Sequence, residues 1–222
     1  MLFNNKDTYD CINIDFENTV HSIAIVNEYK YLGLLIAKND RKHFEEMKSK
    51  GKQSSCITAK AIKEFGYVDG DILKNTYEML TLSKMRYGAE LYFDKNVKDL
   101  NKIQIQFFKK FYHLKKCTPN YCIICEFGIK PVEYHFYKGA LNFWLKLKKA
   151  DEKRLIKRVY EKIHSNLSLS SFHNTWSHRI QKLFKKVHLL ELWNVHDLLD
   201  NVNYKRKINN RLDNYFREDR QC

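Results

Sequence analysis

The spacing of apolar positions divides the chain into a short strand-like start and a long helical remainder. Residues 11–17 (CINIDFE) and 21–36 (HSIAIVNEYKYLGLLI) alternate apolar and polar side chains and are rich in β-branched and aromatic residues. This pattern predicts two or three short antiparallel strands, the last ending near Ile36. From Asp40 onward, apolar residues recur every three or four positions, which is the helical period. The predicted fold is therefore mainly α, a helical bundle with a small N-terminal antiparallel β-sheet.

Three long helices are expected between residues 40 and 116. The first covers about 40–65. The second begins at Asp71, its N-cap, and runs to about Tyr92. The third, over 96–116, is amphipathic, with an apolar stripe on one side and lysines on another. The stripe consists of Val97, Leu100, Ile103, Phe107, Phe111 and Leu114.

Proline and glycine punctuate the middle of the chain. Thr118 as N-cap, Pro119 at the first helical position and Gly128 after the last turn together predict a short helix. Pro131 then begins a helix that is apolar over much of its circumference, and we expect it to be the central core helix. A basic segment over 154–163 follows it.

A Ser/Asn-rich stretch at 165–174 is the best candidate for a linker. A helix beginning at Trp176 and a basic tail follow it. We therefore predict three parts: an end-of-sheet β segment over 1–38, a helical domain over 39–164 and a basic helical extension over 165–222.

The distribution of charge indicates the class of partner. The formal net charge of the 222 residues is +14. Residues 1–38 hold 3 basic and 5 acidic residues, whereas the remainder holds 37 and 21, an excess of +16. An excess confined to the helical part predicts a polyanionic partner, which we take to be RNA, DNA or an RNA–DNA hybrid, and not a membrane.

The start of the chain and its cysteines bear on the compartment. MLFNNKDTYD lacks the basic and apolar regions of a signal peptide. No apolar run approaches the ~18 residues of a membrane span. We expect an intracellular protein, nuclear or cytoplasmic and not secreted, with its six cysteines reduced.

Two sets of basic residues at helical spacing are the candidates for contact with a phosphate backbone. A solvated helix face is the alternative interpretation of each set. The candidates are Lys98, Lys102, Lys109, Lys110 and Lys116 in the first set and Arg179, Lys182, Lys185 and Lys186 in the second. Aromatic residues such as Tyr112, Tyr134 and Tyr137 either stack on bases or, as we favour, belong to the core.

The rest of the sequence contains only weak candidates for a metal or catalytic site. Cys122 and Cys125, with Cys117 and His113 upstream, have spacing that also occurs at zinc sites, but a structural zinc ion usually needs four ligands and often a tight loop. We therefore favour core or half-buried cysteines. The segment at 67–71 (YVDGD) predicts a turn. No nucleophile–base pair, P-loop or dinucleotide-binding motif is present, so we predict no catalytic residue, no metal site and no cofactor.

Four segments, in collinear order, carry a resemblance to a known family. EYKYLGLLI (28–36) and RYGAELY (86–92) resemble the Tyr-Leu-Gly end of the palm and the Leu-Tyr-Gly-Ala-Glu segment of the thumb in LINE-type (non-LTR) retrotransposon reverse transcriptases. FFKKFYHLKKCTPNYCIICEFGIKPVE (107–133) resembles the following helix, Thr-Pro and Glu-Leu-Gly-x-x-Pro, with Phe127 in place of the Leu. TWSHRIQKLFKKVHLLELW (175–193) resembles the Trp-initiated helix and Gly-Leu-x-x-Val-Trp that come next.

The chain departs from the family in two places. The second half of the last motif has His188 where glycine is expected. Polymerase chemistry in this family uses palm carboxylates that hold two Mg²⁺ ions. Those carboxylates precede the Tyr-Leu-Gly, and the 30 residues before Tyr31 contain no Asp-Asp pair. The resemblance implies a non-catalytic C-terminal portion of such an enzyme, with no bound Mg²⁺.

The resemblance also assigns roles to particular residues. It implies that Tyr31, Leu32 and Gly33 position a primer terminus. The alternative is a purely structural role, in which they form a strand packed into a core. It implies that the helices hold an RNA–DNA primer–template. The rival interpretations are a host nucleic-acid-binding module and a protein-interaction bundle whose charge only maintains solubility. A sheet edge left exposed predicts self-association.

Overall fold

A computed structural model shows the fold of most of the chain. It describes residues 11–16, 19–24, 26–37, 41–66, 68–95, 97–165, 175–193 and 201–218. Within these ranges the protein is mainly α-helical with a small antiparallel β region at the N-terminal side, which confirms the predicted fold class. The predicted linker at 165–174 lies almost entirely outside the described residues.

The β region consists of two separate hairpins. Strands β1 (Cys11–Phe16) and β2 (Thr19–Ala24) pair antiparallel, as do β3 (Glu28–Tyr31) and β4 (Leu34–Ala37). The prediction of two or three strands was therefore wrong in number. The region 21–36, in which the last of these strands was expected, contains a two-residue turn at Leu32 and Gly33, both with positive φ.

Eleven helices are described. They are α1 Arg41–Glu64, α2 Gly70–Tyr77, α3 Ser83–Met85, α4 Ala89–Tyr92, α5 Lys98–Phe111, α6 Asn120–Glu126, α7 Val132–Lys149, α8 Leu155–Ser165, α9 Trp176–Lys186, α10 Leu190–Trp193 and α11 Asn201–Glu218. Helices α1, α7 and α9 agree with the predicted positions to within about two residues, the usual uncertainty of helix ends.

The predicted second helix is interrupted rather than continuous. A π-helical turn, Glu78–Leu82, joins α2 to α3, and Gly88, with φ of 76°, lies in the turn before α4. The N-cap of α2 is Asp69, whose carboxylate accepts a hydrogen bond from the Asp71 backbone N–H, so the prediction of Asp71 as N-cap was wrong by two residues. An Asp at either position satisfies the same need, an acceptor for the first free N–H groups.

Two other helix ends differ from the prediction. Helix α5 ends at Phe111 because His113 takes a left-handed conformation with φ of 52°, and Leu114 is exposed beyond it. Helix α6 has Pro119 at its N-cap, so Thr118 does not cap it. Gly128, with φ of 56°, follows the last turn as predicted.

Helix α7 is the centre of the core, as the sequence predicts. Its Phe136, Ala140, Leu141 and Trp144 are fully buried. The Trp144 ring lies 4.7 Å from the ring of Phe184 on α9, measured between centroids. Helix α11 packs along α7, and the buried residues of α1 through α11 form a single hydrophobic cluster. Among the described helices, none is both long enough and apolar enough to span a bilayer.

Candidate nucleic-acid interface

The Tyr-Leu-Gly segment forms the tip of a hairpin. Tyr31 and Leu34 are paired across the turn, and Leu32 and Gly33 have φ values of 47° and 84°. Positive φ at both central residues is typical of the tight turns that match the twist of two antiparallel strands. The side chains of Tyr31 and Leu32 are 56% and 76% exposed. The interpretation of these residues as a strand in the core was therefore wrong, because they project from the surface.

The second resemblance-bearing segment holds this hairpin in place. The Tyr87 hydroxyl donates a 2.6 Å hydrogen bond to the Leu32 carbonyl, and the Tyr92 hydroxyl donates one of 3.3 Å to the Leu35 carbonyl. Gly88 is buried against Leu34, so closely that a Cβ atom at position 88 would overlap the Leu34 side chain. The absence of a side chain at residue 88 is thus what lets the turn and the hairpin meet.

The remaining resemblance-bearing segments pack around the same part of the fold. The indole N–H of Trp176, at the start of α9, donates a 2.7 Å hydrogen bond to the Glu90 carbonyl. The carboxamide of Asn101 on α5 accepts a 2.7 Å hydrogen bond from the Val132 backbone N–H, which caps the start of α7. Helix α4 packs directly on α7.

A surface groove of about 520 Å³ runs beside the hairpin tip. Its lining joins the tip to α1 and to the segment that follows the π-helical turn. The residues are Gly33, Lys50, Gln53, Ser54, Ile57, Ser83, Lys84 and Tyr87. Lys50 forms an ion pair with Glu46 at 2.9 Å, whereas the ammonium group of Lys84 has no partner in the described part of the chain.

The structure brings the first predicted lysine set together on α5 and the loop after it. Lys102, Lys109, Lys110 and Lys116 line one groove of about 590 Å³, and Lys98 lines a smaller one beside it. These lysines are not equally available to a phosphate, because some of their ammonium groups already form hydrogen bonds or ion pairs within the protein.

Lys109 is a structural residue. Its ammonium group donates hydrogen bonds to the carbonyls of Lys116 and Thr118 and to the Asn120 carboxamide oxygen, at 2.5–3.2 Å. It therefore closes the loop between α5 and α6. Lys102 forms an exposed ion pair with Asp99 at 3.1 Å.

Lys110 and Lys116 differ from these two lysines. Both are exposed, and neither ammonium group has a bonding partner among the described residues. They are the members of the first set best placed to meet a phosphate.

The second set, on α9, divides in the same way. Arg179 forms a half-buried ion pair with Asp94 at 2.8 Å. Lys182 and Lys185 are exposed, without partners in the described ranges. Arg179 therefore fastens α9 to the loop after α4, and only the other two face solvent unpaired.

Lys186 lies in a polar cluster with α7. It bonds to the Tyr137 hydroxyl at 2.6 Å, lies 3.4 Å from a Glu133 oxygen, and sits 5.0 Å from the centre of the Tyr137 ring. Partial burial lowers the pKa of Lys186, but the Tyr137 hydrogen bond and the charge of Glu133 outweigh it and raise the pKa overall. Lys186 is thus a permanently charged structural cation.

The structure also shows where the aromatic and cysteine candidates lie. Tyr134 and Tyr137 are buried and Tyr112 is half-buried against Phe127, which confirms the core interpretation of these aromatics. Cys122 is half-buried as predicted, but Cys125 is exposed, contrary to the prediction. Among the described residues, no group of three or more His, Cys, Asp or Glu side chains is placed to hold a metal ion.

A further groove was not predicted from the sequence. It has a volume of about 770 Å³ and lies between the end of α7 and the first half of α11. We call it the α7–α11 groove, and its lining residues are Asn142, Leu145, Lys146, Lys149, Lys205, Arg206, Asn209 and Asn210. The basic character of the tail was visible in the sequence, but its proximity to α7 was not, because more than fifty residues separate the two halves.

No model of a known protein family, no curated protein and no solved structure matches the chain.

Proposed function

We propose that the chain is the thumb-like portion of a LINE-type reverse transcriptase and holds an RNA template–DNA primer duplex through phosphate contacts. The 222 residues contain no Asp-Asp pair before Tyr31 of the kind that would hold two Mg²⁺ ions, so polymerisation is not part of the proposal.

The observation that carries this proposal is the packing of the resemblance-bearing segments on one another. Tyr87 and Gly88 of the second segment hold the hairpin of the first, and Glu90 accepts the hydrogen bond from Trp176 of the fourth. Segments that evolved as one unit are expected to share contacts, whereas unrelated matches scattered over 160 residues would have no reason to meet.

The left-handed residues add support. His188, at the position where the family pattern has glycine, has φ of 54°. Glycine adopts that conformation with least strain, so a turn of the expected kind is compatible with the substituted residue. Leu32 and Gly33 likewise have the positive φ values that a tight two-residue hairpin turn requires.

The position of the hairpin tip fits contact with a primer. Leu32 projects into solvent beside the groove that contains Lys84 and Tyr87. Unpaired cations at Lys110, Lys116, Lys182 and Lys185 then supply contacts along a phosphate backbone, each of which makes binding more sensitive to salt.

The test is fluorescence anisotropy with a labelled RNA–DNA primer–template and a matched blunt DNA duplex over a range of salt concentrations. We expect tighter binding to the hybrid, with the logarithm of the affinity falling linearly as the logarithm of salt rises. Absence of binding to both ligands at low salt would exclude the proposal.

One substitution separates primer positioning from general electrostatics. Leu32→Asn replaces an exposed apolar side chain with a polar one, and asparagine tolerates the positive φ of this position. We expect an unchanged melting temperature and a loss of preference for the hybrid. Tyr121→Asn, at an equally exposed aromatic on α6, is the control and should keep that preference.

A second candidate function rests on a different observation. Three large apolar side chains are exposed near α2: Phe65 just after α1 is 82% exposed, Ile72 on α2 is 58% exposed and Met79 in the π-helical turn is 73% exposed. A protein-interaction bundle accounts for these residues. Binding to nucleic acid that is undetectable, or that does not change with salt, would favour this candidate over the first.

A further inference from the structure

The α7–α11 groove is strongly basic. Its lining contains four cations, Lys146, Lys149, Lys205 and Arg206, and no carboxylate. All four are exposed, and none has a hydrogen-bond or ion-pair partner in the described ranges. Like charges gathered without counter-charges raise the local potential and destabilise the free protein, so such a cluster is expected to meet an anion.

The walls of the groove are fixed by packing. The Tyr134 and Phe216 rings lie 5.6 Å apart, and Asp213 forms an ion pair with Lys130. These contacts join the start of α7 to the end of α11, whereas the groove joins the end of α7 to the start of α11. The two helices therefore run antiparallel, and the buried Ile208 and Leu212 hold α11 against the core.

Cations elsewhere on α11 are used differently. Lys207 forms an ion pair with Glu191 at 2.6 Å, and the Arg211 guanidinium donates a 3.0 Å hydrogen bond to the Val187 carbonyl. These two residues attach α11 to the segment around α10. The contrast shows that α11 directs its structural cations to one side and leaves Lys205 and Arg206 unpaired on the groove side.

The other lining groups indicate the kind of anion. Asn142, Asn209 and Asn210 add three carboxamides, which donate to phosphate oxygens and also accept from ribose hydroxyls or base amines. No aromatic residue lines the groove, so base stacking contributes nothing and contact is with the backbone. A volume of about 770 Å³ is that of a small-ligand cleft and admits a few units of one strand, whereas a duplex would only lie across its mouth.

We propose that the α7–α11 groove binds the phosphodiester backbone of a single nucleic-acid strand without regard to base sequence. The inference rests on the proposed function, in which the single strand is the part of the template that extends beyond the primer duplex. RNA and DNA share the phosphate chemistry, and the carboxamides favour RNA wherever one of them reaches a 2′-hydroxyl.

The test compares the wild-type protein with two variants, on a blunt hybrid and on hybrids with a single-stranded extension. The groove variant carries Lys146→Gln, Lys149→Gln, Lys205→Gln and Arg206→Gln. The control variant carries Lys52→Gln, Lys60→Gln, Lys63→Gln and Arg158→Gln, which removes the same charge from exposed residues of α1 and α8 that have no partner in the described ranges. The ligands are a blunt RNA–DNA hybrid and the same hybrid with a single-stranded template extension, in RNA and in DNA form.

We expect the extension to tighten binding to the wild-type protein and to the control variant. In the groove variant that gain should disappear, and the slope of log affinity against log salt should fall by up to about 3, since each lost single-strand phosphate contact accounts for about 0.7. Binding to the blunt hybrid should change equally in both variants.

The outcomes separate the two proposals. Binding of the blunt hybrid with a gain from the extension that survives in the groove variant would overturn the groove assignment and leave the thumb proposal standing. Failure of the wild-type protein to bind any of the ligands would overturn both.

Two further measurements keep the proposal testable even if the fourfold groove variant fails to fold. Asn210→Asp adds one negative charge with almost no change of shape, and should weaken binding of the extended hybrid roughly fivefold for a phosphate about 4 Å away in a water-like dielectric. In the wild-type protein, bound single strand should protect Lys146, Lys149 and Lys205 from acetylation, read by mass spectrometry. Equal acetylation with and without the strand would contradict the assignment.

Discussion

The Tyr87 hydroxyl donates a 2.6 Å hydrogen bond to the carbonyl of Leu32, across 55 residues of sequence. The bond joins the tip of the β3–β4 hairpin to the turn between α3 and α4. Gly88, next to Tyr87, is buried against Leu34, two residues beyond Leu32. This turn therefore holds the tip of the hairpin, where the exposed Leu32 lies.

The close approach of Gly88 to Leu34 makes a definite prediction. Gly88→Ala places a Cβ atom in the space of the Leu34 side chain and also forces alanine to take a φ of 76°. We expect it to lower the free energy of unfolding by about 1–3 kcal/mol more than a left-handed backbone alone would explain. Urea denaturation of the purified variant measures the difference.

Two other glycines provide the controls for that substitution. Gly66 has φ of 79° but open space around it, so Gly66→Ala carries the backbone strain without the overlap. Gly139 lies inside α7 with nothing near its missing Cβ, so Gly139→Ala should stabilise the helix by about 0.5–1 kcal/mol. Equal effects of Gly88→Ala and Gly66→Ala would mean that the contact with Leu34 is unimportant.

The predicted basic residues of α9 should separate into two classes. Arg179→Gln breaks the ion pair with Asp94 and should lower the free energy of unfolding by about 1 kcal/mol. The double substitution Lys182→Gln, Lys185→Gln should leave the melting temperature unchanged and reduce the salt slope of hybrid binding by up to about 2, one for each duplex phosphate contact. Calorimetry and anisotropy on the same preparations measure both. The assignment fails if the double variant binds with the wild-type salt slope.

The sequence predicts amphipathic helices well and their interruptions poorly. The apolar stripe of α5 depends only on spacing, and its residues Leu100 and Phe107 are buried as expected. The π-helical turn depends instead on tertiary contacts, among them the 2.9 Å hydrogen bond from Ser54 to the Leu80 carbonyl and the buried pair of Thr58 and Thr81 hydroxyls. No local pattern encodes a partner that lies on another helix.

Candidate binding residues show the same limit. A lysine on a polar helix face satisfies the sequence pattern whether or not it is free. Lys109 donates hydrogen bonds to carbonyls of the loop after α5, and Lys146 shares a groove with Arg206 only because α11 packs against α7. The spacing of basic residues along the sequence identifies the candidate cations, but the packing of loops and helices decides which of them remain unpaired.

A pH dependence of stability is expected from His135 on α7. Burial, and then the positive charges of Arg86, Lys138 and Lys130, lower the pKa of His135 to about 4, from an ordinary value of 6.5. The unfolded chain therefore binds a proton between about pH 6.5 and 4 that the folded protein does not. Stability from this residue is fully present above pH 6.5 and is lost as the pH falls towards 4, by on the order of 2–3 kcal/mol.

Denaturation as a function of pH tests this assignment with a matched variant. His135→Gln removes the titrating group and keeps a polar side chain of similar length. We expect the variant to lose less stability than the wild-type protein between pH 6.5 and 4.5, before most carboxylates titrate. Parallel curves for the two proteins over that interval would assign the dependence to other groups.

Self-association is expected through the β hairpins, because each is a two-stranded sheet with unpaired edges in the described structure. Val20, Tyr29 and Tyr31 are 68%, 46% and 56% exposed on these strands. Tyr29→Lys adds a charge to the edge strand β3 and should raise the dimer dissociation constant roughly tenfold, since a symmetric dimer gains two charges at once. Sedimentation equilibrium measures the constant. Tyr121→Lys, on exposed α6, should leave it unchanged, and a wild-type protein that stays monomeric at every concentration would show that the edges are not an interface.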